Sequence, residues 1–93
     1  MSLFTTLSGL LTQAAASGKT QRWTLPGGLH VRVAARPARL CLWRDAGEWQ
    51  PGPRSDREGQ TCAKVLGWTD YRLDWQGRYL IVTQAEPLLG VPS

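Results

Sequence analysis

Acidic residues are missing from the first half of this 93-residue chain: no Asp or Glu precedes Asp45. Lys19, Arg22, Arg32, Arg36, Arg39 and Arg44 all lie in that half. From Asp45 onward five basic residues meet seven acidic ones, so the overall charge of +4 hides a divided chain. A basic half of this kind is a handle for phosphate, nucleic acid or an acidic protein, unless it is simply a solvated surface. Metal ligands are just as sparse. One histidine, His30, and two cysteines, Cys41 and Cys62, do not make a structural zinc site, so no metal and no cofactor is expected. His30 would form a nucleophile–base pair with either cysteine only if the fold happened to bring them together. Each lone Cys reads as a small hydrophobe.

The other absences narrow the class further. Two cysteines and no secretory signal point to reduced thiols and a cytoplasmic protein. The Met1–Lys19 stretch lacks a basic start and is interrupted by Thr5, Thr6, Ser8, Thr12 and Gln13, so it does not read as a signal peptide. No run approaches the roughly 20 apolar residues needed to span a bilayer, and no membrane partner is expected. Asp70 and Asp74 would lie about 14 Å apart along a strand, too far for a glycosidase pair. Ser17-Gly18-Lys19-Thr20 imitates the end of a phosphate-binding P-loop, but Gln13 stands where its first glycine belongs, and the strand and helix come in the wrong order. With no acid–base–nucleophile set in view, a non-enzymatic protein is expected.

What is present is a small α+β domain, with 1–93 read as a single unit. Thr69–Asp74 and Arg78–Thr83 read as a hairpin around Trp75-Gln76-Gly77, a three-residue loop with Gly in the left-handed position. That loop would place Asp74 opposite Arg78, Leu73 opposite Tyr79 and Tyr71 opposite Ile81. The second strand is apolar on both faces and should be interior, whereas the first alternates and should lie near an edge. Earlier in the chain, Ser2 can cap a helix over 3–17 with Leu3, Leu7, Leu10, Leu11, Ala14 and Ala15 on one stripe and Gly18 as its stop. That stripe should lie on a sheet, unless it forms a dimer contact. Thr20–Leu25 and Leu29–Arg36 form another hairpin about Pro26-Gly27-Gly28, where Pro then Gly favours a type II turn. Arg39–Arg44 follows as a third strand, with Leu40 and Leu42 opposite Arg39, Cys41 and Trp43.

Ser55-Asp56-Arg57-Glu58 has the form of a capping box opening a helix over 56–66, with Gly67 as its left-handed end and Gly59 as a weak point. The order is α-β-β-β-α-β-β. The simplest packing is two layers, an antiparallel sheet of about five strands with both helices on one face and the other face open to solvent.

Two surfaces stand out. Arg22, His30, Arg32, Arg36 and Arg39 fall on the polar side of the first three strands, with Trp43 at the end of the alternation. Guanidinium groups fork onto phosphates and an aromatic ring stacks on an unpaired base, so this face is a candidate for single-stranded DNA or RNA. The competing reading is a protein-interaction or chaperone-like adaptor, or a homodimer. There Trp49, on the Gly/Pro-rich Asp45–Arg54 loop, and Trp75, at the hairpin tip, would be exposed anchors. The element order is similar to that of small dimeric secretion-chaperone-like domains, a likeness of topology alone. Those domains tend to be acidic and to end in another helix, which this chain is not read to do.

Overall fold

A computed structural model describes residues 2–45 and 49–85 of the chain. The elements run α1 (Leu3–Ser17), β1 (Gln21–Thr24), β2 (His30–Ala35), β3 (Ala38–Trp43), α2 (Pro53–Val65), β4 (Tyr71–Gln76) and β5 (Tyr79–Gln84). The sheet is antiparallel throughout, in the order β1-β2-β3-β5-β4. The expected α+β architecture and element order are therefore observed, with β5 interior and β4 at an edge. Residues 86–93 lie outside the described residues, as do 46–48 of the Asp45–Arg54 loop.

The first helix begins and ends where its residues require. The hydroxyl of Ser2 accepts from the Thr5 amide at 3.1 Å, and Gly18 turns left-handed at φ 73° while donating to the Ala14 carbonyl. Leu7, Leu10 and Ala14 are buried, and α1 packs its stripe against β2 and β1. Between β1 and β2, the Gly28 amide donates to Leu25 across Pro26-Gly27, and Gly27 has φ 93°, as a type II turn demands.

The second helix starts earlier than the capping box implied. Pro53 takes the first helical position, where its missing N–H is no loss, and Gly52 is the cap. Ser55 is inside the helix; its buried hydroxyl donates to the Gln50 carbonyl at 2.7 Å. The end is as expected: Gly67 at φ 80° donates to Lys64 and the Trp68 amide to Ala63, the paired bonds of a Schellman ending. Gly59 is a contact rather than a weak point. A Cβ there would sit 2.8 Å from Leu80 Cδ2 and 3.2 Å from Val82 Cγ2, so glycine lets α2 lie close on β5. Gly59→Ala should therefore destabilise the protein by about 1 kcal/mol in a urea melt, since overpacking of about 1–3 kcal/mol outweighs the gain in helix propensity. Stabilisation instead would mean that α2 sits less tightly than described.

The terminal hairpin has a register other than the expected one. Gln76 pairs with Tyr79, leaving Gly77-Arg78 as a two-residue turn in which only Gly77 has positive φ, the type II′ pattern. Leu73 thus faces Val82 and Trp75 faces Leu80, not the Leu73–Tyr79 pairing of a three-residue loop. This shift by an odd number of residues exchanges faces on β5. Leu80 and Val82 enter the core beneath α2, while Tyr79 and Ile81 go to the opposite side; Ile81 is half-buried there rather than a core residue. Arg78, freed from Asp74, donates to the Arg44 carbonyl at 2.6 Å.

Both helices cover one face of the sheet. Val31, Val33, Leu40, Leu42, Leu80 and Val82 are fully buried beneath them. No described helix packs on the other face.

Candidate functional site

Register arranges that open face into rows. Across β1, β2, β3, β5 and β4, one row contains Thr24, His30, Trp43, Tyr79 and Gln76. The next contains Arg22, Arg32, Cys41, Ile81 and Asp74. A third contains Ala34, Arg39, Thr83 and Arg72. A cleft of about 600 Å³ opens over the middle of these rows, lined among others by Arg22, Arg32, Arg39, Cys41, Trp43 and Tyr79.

Trp43 is the centre of this surface. His30 stacks on it with ring centroids 5.2 Å apart, and Tyr79 meets it edge-on at 5.6 Å. The guanidinium carbons of Arg22 and Arg32 lie 5.3 and 5.8 Å from its ring centroid. So covered, Trp43 is only 8% exposed although no described helix lies over it. The indole quadrupole holds two cations that stand directly opposite one another on neighbouring strands. Like charges so placed repel, and a bound anion relieves that repulsion. Among the described residues, Arg44 forms an ion pair with Glu58 and His30 meets the Asp45 carboxylate; Arg22, Arg32 and Arg39 have no acidic partner.

His30 is fixed at both ring nitrogens. Nε2 lies 2.8 Å from the Asp45 carboxylate and Nδ1 2.9 Å from the Thr24 hydroxyl. An ionised carboxylate only accepts, so Nε2 carries a proton here, and in the neutral ring Nδ1 accepts from Thr24. Nucleophilic hydrolases use this order of groups, and no spacing in the sequence signals it. Thr24, however, is exposed on an edge strand and outside the cleft. The chain of contacts holds the imidazole flat against Trp43.

The sequence-derived site residues are thus only partly brought together. Arg22, Arg32, Arg39 and Trp43 share the cleft, with His30 stacked beside it. Arg36 belongs to the β2–β3 turn, in a smaller depression with Lys19 and Arg39. Tyr79 was missed because the assumed hairpin register put it on the wrong face. The expected exposure of Trp49 and Trp75 is overturned. Trp49 is 6% exposed, 5.5 Å from Trp75, and beneath the Arg44 guanidinium. Trp75 is half-buried and donates through Nε1 to Asp56 Oδ1 at 2.9 Å. Trp49 belongs to the buried core, and Trp75 packs against it because β4 turns Tyr71, Leu73 and Trp75 to that face.

The thiols differ in setting. Cys62 is buried on the inner face of α2, and burial, aided by Glu58, pushes its pKa up to about 11. Cys41 is half-buried in the cleft; burial raises its pKa, against a smaller lowering by Arg32. No group of three metal-ligating side chains occurs among the described residues, and no described helix is long and apolar enough to cross a membrane. Comparison of the chain with models of known families, with curated proteins and with solved structures finds no match.

Proposed function

We propose that the open sheet face binds single-stranded nucleic acid, DNA or RNA, and that the protein acts by binding rather than by catalysis. The observation that carries this reading is the cleft itself. Among the described residues, Arg22, Arg32 and Arg39 line it without an ion-pair partner and no carboxylate lines it. Arginine forks suit phosphate oxygens, and an aromatic ring beside them suits an unpaired base. The indole of Trp43 acts as the shelf that holds two of the guanidinium groups, rather than as a base-stacking surface.

Cys41 lies in the cleft and so reports on its occupancy. Bound oligothymidylate should slow alkylation of Cys41 by iodoacetamide several-fold, whereas Cys62 should stay unreactive until the protein unfolds. Mass spectrometry of the modified thiols reads both sites in one sample. Unchanged Cys41 alkylation at saturating oligonucleotide would rule out the cleft as the binding surface.

A second reading, a protein-interaction module, rests on Phe4 and Trp23, which are 54% and 56% exposed and lie outside the cleft. Exposed aromatics of this size serve as anchors at interfaces. Trp49 and Trp75 no longer support that reading.

A further inference from the structure

Resting on the reading of the open face as a single-strand site, we propose that the nucleic acid crosses the β-strands rather than following them. Its phosphates would lie on a four-arginine track that ends at Arg72, and one base would stack on Tyr79. The track follows from register. Arg22 on β1 stands opposite Arg32 on β2, and the adjoining row places Arg39 on β3 and Arg72 on β4 in line through Thr83. Five strands spaced about 4.8 Å apart make this a stripe about 19 Å long, crossing the whole sheet.

An aromatic row flanks the stripe. His30, Trp43 and Tyr79 lie on the side away from Arg39 and Arg72, two residues along the strands from the row of Arg22 and Arg32. That offset is about 6.8 Å, which separates a line of backbone charges from a line of rings. Within the row, Tyr79 is 42% exposed and Trp43 8%, so Tyr79 presents the ring that a base can reach.

Asp74 gives the track its bend. It stands on β4 in the row of Arg22 and Arg32, where its carboxylate repels a phosphate continuing straight along that row. A backbone leaving Arg32 is therefore steered to Arg39 and on to Arg72.

The test is a fluorescence titration of end-labelled oligothymidylate, with the salt series measured for wild type, Arg72→Ala, Asp74→Asn, Tyr79→Leu and Arg36→Ala. Four contacted phosphates correspond to a slope of log K against log salt of about −2.8 on a single strand, and three to about −2.1. Wild type should show the steeper value and Arg72→Ala the shallower one, with Arg36→Ala unchanged. Asp74→Asn should bind more tightly. Tyr79→Leu, which keeps an apolar side chain against Trp43, should lose on the order of ten-fold in affinity with the slope unaltered. If wild type binds with a slope near −2.1 and neither Arg72→Ala nor Tyr79→Leu changes binding, the crossing track is wrong while the single-strand reading stands. If wild type does not bind at all, both fall.

Discussion

Trp49→Ala is expected to lower the free energy of unfolding by about 3–5 kcal/mol, as truncation of a buried tryptophan does. Domains of this kind are commonly stable by about 5–15 kcal/mol, so the variant should be near its folding threshold. The ring is held by Trp75 at 5.5 Å and by the Arg44 guanidinium at 5.9 Å. Arg44 in turn donates to the Gly27 carbonyl and to Glu58, both at 2.6 Å, which joins the β1–β2 turn to α2. Losing Trp49 therefore loosens the place where the turn, α2 and β4 meet. Trp49→Phe should cost less than the alanine change, because much of the apolar volume stays. Denaturant melts of the two variants decide the matter. A loss within about 0.5 kcal/mol for alanine would be typical of a surface site and would return Trp49 to the role of an exposed anchor.

The Arg22→Ala/Arg32→Ala double variant should lose most of the binding ascribed to the cleft. Each arginine accounts for about 0.7 of the salt slope on a single strand, so the pair accounts for about 1.4. Extrapolated from a reference near 1 M salt, that difference amounts to about 65-fold in affinity at about 50 mM. The fold should persist. Both guanidinium groups are on the solvent side of the sheet, and a cation–π contact at such a site contributes about 0.5–1 kcal/mol. Arg36→Ala makes the contrasting control, since its residue lies at the β2–β3 turn and outside the cleft. Titration of the same labelled oligonucleotide with each variant measures the difference. Equal losses from all three arginines would mean that binding follows general positive charge and not this cleft.

The parts of the molecule that were legible in the sequence are those set by local chemistry. Ser2, Gly18 and Gly67 act at helix ends through their own backbone and side-chain groups, and Pro26-Gly27 sets its own turn, so each was read where it is found. The alternation of Leu29, Val31 and Val33 against His30 and Arg32 likewise placed the arginines on the open face. Errors arose where two local signals competed or where tertiary contact decided. Ser55 and Glu58 fit a capping box, but Pro53 fits the first helical position as well, and the buried Ser55 hydroxyl bonds to Gln50.

Gly77 suited either a two- or a three-residue loop. The choice turned on whether Leu80 and Val82 or Tyr79 and Ile81 entered the core. Packing under Gly59 settled it, since that glycine admits Leu80 and Val82 to within van der Waals reach of the helix. Trp49 was read as exposed because its neighbours are turn formers, yet Arg44 and Trp75 close over it. The Thr24–His30–Asp45 contacts join residues from three separate segments, and no spacing in the chain announces them.

The most direct test is a titration of wild-type protein with labelled single- and double-stranded oligonucleotides of one sequence at about 50 and 200 mM salt. Three or four contacted phosphates imply that single-strand affinity falls by about 20-fold to 50-fold across that range. Single strands should also bind more tightly than the duplex, whose bases are not free to meet Tyr79. Absence of salt-sensitive binding to any strand at the lower salt would contradict the account and leave the basic face as solvated surface.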